Sequence, residues 1–511
     1  MASRGFFLLN LFFLLLSFHR CAGSVKPKHI SAPFNRSTFP ASFVFGAATA
    51  AYQIEGAAYK GGKGASIWDT FAKQHPEKIW DHSTGDVAID FYHRYKEDIH
   101  FLKDLGMDAM RLSISWPRIL PRGKVSRGIN QEGIKFYNSV FDELESKGLK
   151  PFVTLLHWDI PQALEDEYGG MLHTNIVNDF RDYVDICFKE FGDRVKYWIT
   201  MNEPISFSTN GYTIGTQAPG RCSSYAGNCT AGNSATEPYI VAHNQLLAHA
   251  AAVKLYREKY KKDQNGEIGI TLASHWIVPK VKTVAGIKAA YRGLDFMLGW
   301  FLHPLTYGDY PPSMRAIVGH RLPKFSPAQS KMVAGSMDFL GMNYYTSQYA
   351  SISVSVNNVN LSYSTDSHVE LTTEKDGVPI GQTTALDWLC VCPKGIRLLM
   401  LYIMKKYKNP PIFITENGMA DQDNSTLTLQ EALKDNLRII YMQGHLWNLQ
   451  KAIEEGANVK GHFVWSFMDD FEWDAGYTVR FGLAFVDYKN GLKRYPKHSA
   501  YWYKKFLLKA K

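Results

Sequence analysis

The sequence predicts an α/β protein folded as a single (β/α)8 TIM barrel with insertions in its βα loops. Three observations carry this. Eight short apolar runs of strand length alternate with segments of helical spacing along the 511-residue chain, and no linker separates them. The strand-like runs are apolar on both faces, as parallel strands covered by helices are. Nearly every run ends in a polar or aromatic side chain, and in such a barrel chemistry gathers at the C-terminal strand ends.

In chain order, residues 24–40 read as an extended arm punctuated by Pro27, Pro33 and Pro40. Strand one covers 43–50 and leads to Gln53 and Glu55; a helix follows over 86–105. Strand two, AMRLSISW, covers 109–116, and its helix covers 130–147 with Gly148 as the stop. Strand three, PFVTLLHW, covers 151–158, and its helix 174–191. Strand four covers 195–202, with a long helix over 239–261. Strand five covers 268–276, with a helix over 285–301. Strand six, DFLGMNYYT, covers 338–346 and precedes a polar loop over 351–387, rich in Ser, Thr and Asn. A helix over 393–406, strand seven over 411–415, a helix over 431–456, strand eight over 459–467 and a closing helix over 497–508 complete the pattern.

Residues 1–23 read as a secretory signal peptide and not as part of the fold. Arg4 supplies the positive start, 6–18 is an apolar run, and Cys21, Ala22 and Gly23 form a small-residue cleavage site. Residues 24–511 are then one domain. The apolar run is too short for a comfortable membrane span, and no later segment of that length is free of charges. The expected destination is the secretory pathway, ending in the extracellular space and cell wall or in the vacuole. The formal charge of +9 falls to +7 when Arg4 and Arg20 leave. The basic residues are scattered among acidic ones, which excludes a nucleic-acid surface. A homo-oligomer is compatible with the sequence.

The six cysteines include no redox or zinc pattern: Cys21 leaves, Cys187 sits on an apolar helix face, and Cys390 and Cys392 flank a single residue. No metal or other cofactor is implied. Cys222 and Cys229 lie in the loop RCSSYAGNC of a secreted chain, and a disulfide closing it is expected. Four sequons, at Asn35, Asn228, Asn360 and Asn424, lie in polar stretches and read as glycan acceptors. Aromatic residues make up 14% of the chain, and their faces suit the C–H faces of sugar rings, although most must be core.

Two strand ends carry the chemistry. VKYWITMNEP delivers Glu203 and PIFITENGM delivers Glu416. Either carboxylate alone has a plainer reading as an ion-pair partner. Two of them at one end of a barrel supply the pair that glycoside cleavage needs.

The motifs FVFGAATAAYQIEG, MRLSISWPRI, LLHWDIPQAL, ITMNEP, FLGMNYYT, IFITENGM and FVWSFMDDFEW closely resemble those of glycoside hydrolase family 1, and of plant β-glucosidases in particular. The resemblance spans roughly 38–508, and its NEP and TENG glutamates stand 213 positions apart. It implies a retaining β-glucosidase that hydrolyses O-linked β-glucosides, phenolic or other plant secondary-metabolite glycosides, through a covalent glycosyl-enzyme. Alternatives are a transglycosidase of the same fold, or a β-glycosidase preferring a disaccharide glycoside or an oligosaccharide. Glu203 is implied as acid/base and Glu416 as nucleophile. Such a pair stands about 5–5.5 Å apart, with the acid raised in pKa and the nucleophile ionised. Arg111 and Tyr345 would favour ionised Glu416, and Asn343 supports the same strand ends. Asn202 would bind the sugar 2-OH. Gln53, His157 and Glu472 would fix other hydroxyls, with Trp465, Trp473 and Phe481 along the sugar. Glu at 203, where thio-glucosidases have Gln, favours O-glycosides. Trp388 matches the platform at the pocket mouth. Asn210 and Gln217 replace the bulky apolar residues of many plant members, which points to a more polar aglycone site. Met201 and Asp470 are read as tolerated variants.

Overall fold

The computed structural model describes residues 34–353 and 359–508. The expected signal peptide lies outside them. Eight parallel strands close into a barrel: β1 (Val44–Ala48), β2 (Ala109–Ser113), β3 (Lys150–Thr154), β4 (Tyr197–Asn202), β5 (Glu267–Ala273), β6 (Phe339–Asn343), β7 (Ile412–Asn417) and β8 (Val459–Val464). Each pairs with the strands before and after it, and β8 returns to β1 with Gly461 opposite Val44. Closure leaves no unpaired edge in this sheet.

Between the strands run α1 (Phe91–Asp104), α2 (Gln131–Ser146), α3 (Asn175–Phe191), α4 (Glu237–Leu255), α5 (Val284–Leu294), α6 (Pro393–Lys406) and α7 (Asn436–Glu454); α8 (His498–Leu507) follows β8. The stop expected after α2 is present: Gly148 has φ +62°, a conformation that only glycine adopts without strain. Among the described residues no helix is long and apolar enough to cross a membrane.

An aromatic floor closes the N-terminal end of the barrel. Phe152 of β3 stacks on Tyr197 of β4 at 4.2 Å and reaches across to Phe413 of β7 at 5.1 Å and Phe463 of β8 at 4.7 Å. β3 does not pair with β7 or β8, so these contacts run through the interior and these side chains point inward. Truncating one such ring to alanine costs about 3–5 kcal/mol. The polar strand ends face the opposite mouth.

Several element boundaries differ from the sequence reading. The first helix starts at Phe91 and not at 86, because Ala88 and Asp90 take positive φ and break the turn before it. Strand five stops at Ala273, and Trp276–Pro279 forms a separate strand in an outer sheet with Ser347–Ile352 and Val369–Thr372. The expected loop at 351–387 therefore carries structure, including the hairpin Glu374–Lys375 with Val378–Pro379. The helix expected over 431–456 is two: Leu429–Ala432, capped reciprocally by Thr428 and Glu431, and then α7.

Candidate active site

Strict strand alternation would turn Glu416 and Asn202 away from the barrel interior. Phe413 points into the barrel, so 415 and 417 share its face and 416 does not. The pairing of β7 shifts register between Ile414 and Glu416 against β6, and again against β8. Such a shift re-aims a side chain at the cost of one ladder position, and here it brings Glu416 inward. β4 does the same: Tyr197 points inward, and a register shift between Ile199 and Asn202 lets Asn202 follow. Glu203 then takes φ +40°, a left-handed conformation uncommon for Glu, and begins the helix Pro204–Tyr212. Its N–H is held by the carbonyl of Thr271 on β5 at 2.9 Å. Gly418 follows the TEN sequence because a Cβ there would lie 1.7 Å from the carbonyl oxygen of Trp465.

The two carboxylates meet a single hydrogen-bonded web. Arg111 Nη1 donates to Glu416 Oε1 at 2.5 Å and its Nη2 to Asn202 Oδ1 at 2.6 Å. The Tyr345 hydroxyl donates to Glu416 Oε2 at 2.6 Å. Asn343 Nδ2 donates to Glu203 Oε1 at 2.7 Å and to Asn202 Oδ1 at 3.1 Å. Ser206 Oγ donates to Glu203 Oε2 at 2.5 Å. The two glutamates therefore differ in surroundings. Glu416 is paired with a buried guanidinium; among the described residues Glu203 is held by an amide and a hydroxyl. Burial and the nearby Glu416 push the Glu203 carboxyl up to about 7, against the opposing hydrogen bonds from Ser206 and Asn343.

A cavity of about 630 Å3 opens over these groups, within the usual range for ligand sites. His157, Asn202, Glu203, Asn343, Tyr345 and Glu416 lie in its wall, as do Trp465, Glu472, Trp473 and Phe481. Two sequence-selected residues sit behind that wall. Arg111 is fully buried under Glu416, and Gln53 is fully buried, its Nε2 donating to the Phe471 carbonyl at 2.9 Å and to Glu472 at 3.3 Å. Gln53 Oε1 has no hydrogen-bond partner among the described residues. His157 is neutral, since burial and Arg111 lower its pKa well below the ordinary value. Asn202 Oδ1 already accepts two donors, so its Nδ2 is the atom facing His157 Nε2 at 3.0 Å. The imidazole proton is therefore on Nδ1, which has no hydrogen-bond partner among the described residues and is free to donate to a ligand oxygen. Trp473 lies 5.8 Å from His157 and 4.5 Å from Trp158, forming an aromatic wall, and Phe481 meets Tyr345 at 6.1 Å.

Asp470, read from sequence as a tolerated variant, lies within this polar floor. Gln53 Nε2 is 3.4 Å from its Oδ1. Burial and the neighbouring Asp469 raise its pKa well above the carboxylate range, so it keeps a proton. A neutral acid offers one donor and one acceptor, close to what an amide offers, which accounts for Asp at this position.

At the mouth, Trp388 is 39% exposed, stacked on His275 at 5.7 Å and edge-on to Tyr345 at 5.8 Å. Asn210 and Gln217 line the same opening. Sequence reasoning did not find Ser206, His275, Trp80 or Asp474, all at the site. Ser206 could have been found, since it stands one helical turn after Glu203. Nothing in the sequence marks Trp80. Away from the cavity, Cys222 and Cys229 form the expected disulfide. Asn228, Asn360 and Asn424 are exposed; Asn35 is half-buried, and its Oδ1 accepts from the Ser37 N–H. Among the described residues no group of three or more His, Cys, Asp or Glu is arranged to hold a metal ion.

The model of Glycosyl hydrolase family 1 matches residues 35–511. Beta-glucosidase 12 of Oryza sativa subsp. indica is 57% identical, over 97% of this chain and 98% of its own. Furcatin hydrolase of Viburnum furcatum is 54% identical, over 92% of this chain and 86% of its own. Among solved structures, a rice β-glucosidase mutant in a covalent complex with Glc matches with TM-score 0.91 and 49% identity, over 94% of this chain and all of that one.

Proposed function

The chain belongs to glycosyl hydrolase family 1 and is a retaining β-glucosidase; we propose that Glu416 is its nucleophile and Glu203 its acid/base. The observation that carries the assignment is the asymmetry of their surroundings. Arg111 Nη1 donates to Glu416 Oε1 at 2.5 Å in a buried ion pair, the setting of a carboxylate held for attack. Glu203 has no such partner and is pushed up to about 7, where it still holds a proton to give.

In the first step a Glu416 oxygen attacks the anomeric carbon while Glu203 gives its proton to the glycosidic oxygen. The C–O bond to the aglycone breaks, and an ester joins the sugar to Glu416. That ester is neutral. The repulsion that helped hold the Glu203 proton is removed, so Glu203 ionises more readily and is ready to act as base. It then takes a proton from water, the water oxygen attacks the anomeric carbon, and Glu416 leaves as carboxylate. Asn202 would hold the 2-OH, a contact that strengthens in the transition state. His157 Nδ1–H, Gln53 Oε1 and Glu472 would position the remaining hydroxyls, with Trp465 and Trp473 along the ring. The substrates we assign are O-linked β-glucosides of plant secondary metabolites. The likeness to furcatin hydrolase supports this, as do the mouth residues Asn210 and Gln217, which are polar where an apolar aglycone site would be greasy. We also assign passage through the secretory pathway, with glycans on the exposed sequons.

A 2-fluoro β-glucoside with a good leaving group tests the roles. It should inactivate the enzyme and leave its mass increment on the peptide holding Glu416. A label on Glu203, or inactivation with no label, would overturn the assignment.

A further inference from the structure

The outer half of the cavity has its own chemistry. Five carboxyl groups line the cavity, those of Glu203, Glu416, Glu472, Asp474 and Asp387, and among the described residues no Lys or Arg lines it. The first three belong to the catalytic and sugar-facing end. Asp474 stands one residue beyond Trp473, at the boundary between the sugar wall and the mouth.

Asp474 ends a chain of hydrogen bonds with a fixed direction. Gln217 Nε2 donates to Asp474 Oδ1 at 2.6 Å, and Asn210 Nδ2 donates to Gln217 Oε1 at 3.2 Å. A carboxylate only accepts, so it holds the Gln217 NH2 toward itself and turns the Gln217 carbonyl to Asn210. Asp474 Oδ2 accepts nothing from the other described residues. Burial raises the pKa of this carboxyl, the hydrogen bonds from Gln217 and from its own N–H opposing, and the half-buried residue lines the cavity within reach of a ligand donor.

Beside it stands Trp80, which lines the cavity although its side chain is 59% exposed. Its position is fixed from below, because its N–H donates to the Asp474 carbonyl at 2.8 Å. An indole held at a cavity rim next to an unpaired acceptor offers a stacking face and a hydrogen-bond partner in one place.

We propose that Trp80 and Asp474, backed by Gln217 and Asn210, form an outer subsite for aglycones whose distal aromatic ring carries a hydroxyl donor, and that this subsite rejects aglycones carrying an anion. The inference rests on the β-glucosidase reading and deepens it. The ring lies on Trp80, its hydroxyl donates to Asp474 Oδ2, and an anion there would meet the Asp474 carboxylate with no lining Lys or Arg among the described residues to pair with it.

The test uses three β-glucosides with the same phenolic leaving ring and a distal ring bearing hydroxyl, methoxyl or carboxylate. In the wild type kcat/KM should favour hydroxyl over methoxyl by about tenfold or more, since a charged acceptor is otherwise left unmet. Asp474→Ala should bring that ratio close to one. Asp474→Asn, nearly the same shape, should keep part of the ratio and raise kcat/KM for the carboxylate substrate. Trp80→Ala should raise KM for the two-ring substrates more than for 4-nitrophenyl β-glucoside. Each effect is a ratio within one variant, so partial loss of folded protein cancels. A flat wild-type ratio, or one that Asp474→Ala does not move, overturns the outer subsite. Equal losses on Asp474→Ala for a glucosyl disaccharide, with no Trp80 effect, overturn the aromatic requirement. Failure of the wild type on 4-nitrophenyl β-glucoside would instead strike the underlying β-glucosidase reading.

Discussion

Replacing Ser206 with alanine removes one of the two hydrogen bonds that hold the Glu203 carboxyl, the 2.5 Å contact to Oε2. The expected consequence is kinetic. The Ser206 hydroxyl favours the ionised form of Glu203, opposing the burial and the Glu416 charge that raise it to about 7. A hydrogen bond to a charged group is worth roughly 1.5–3 kcal/mol. Ser206 is half-buried at an open cavity, so water returns part of this. A net change of about 1.4 kcal/mol, or one pKa unit, remains. The sign follows from the role: the acid must be protonated to act. Raising its pKa extends the protonated form to higher pH, so the alkaline limb of kcat/KM should move up by about one unit. At the same time kcat should fall for substrates limited by hydrolysis of the glycosyl-enzyme, because an acid that is harder to ionise is slower to become the base. Ser206→Thr, which keeps the hydroxyl, should restore the limb. The measurement is a pH profile of kcat/KM on a phenyl β-glucoside with a poor leaving group. An unmoved alkaline limb, or one moved down, in a folded Ser206→Ala protein would refute the reasoning.

Other outcomes follow from the same geometry. Glu203→Gln should lose more than about a hundredfold in kcat/KM on poor leaving groups but much less on good ones; azide should then restore turnover and yield β-glucosyl azide, and an azide-insensitive protein would count against the acid/base role. Cys222→Ser with Cys229→Ser opens a loop whose ends are 7 residues apart, a loss of about 2 kcal/mol in loop entropy. For a chain of this length that is only about 2 °C in Tm, so proteolysis at the loop should respond well before calorimetry does; a fall above 10 °C would show that the disulfide supports much more than its loop.

Much of the barrel was legible because local pattern and global fold agree. β7 announces itself as a β-branched and aromatic run closed by a turn signal, and its bounds fall within two residues of the sequence reading. The misses share a cause. Trp276 extends an apolar run, so periodicity adds it to strand five; only the tertiary partner, Ser347 beside it, shows that it belongs to another sheet. The polar segment at 369–372 is a strand because Ser347–Ile352 presents an edge to it, and not because its own residues demand one.

The site was legible at a different level. Residue types at the strand ends named the chemistry, but period-two alternation places Glu416 and Asn202 on the wrong face, and only a register shift, set by pairing with neighbouring strands, turns them in. Sequence also treats two glutamates as equivalent until their neighbours are known. Arg111, 305 positions before Glu416, pairs with one of them at 2.5 Å; Glu203 takes its hydrogen bonds from the Asn343 amide and the Ser206 hydroxyl. The same holds for Asp470, which looks like a charge substituted for an amide and behaves as a neutral acid once Asp469 and burial act on it. Acid, nucleophile and neutral hydrogen-bonding group are here the same functional group in three environments. What separates them is distance to a cation and access to water, and both are set by packing between segments hundreds of residues apart. A pattern in the chain can therefore locate such a site, while the division of labour within it has to come from the fold.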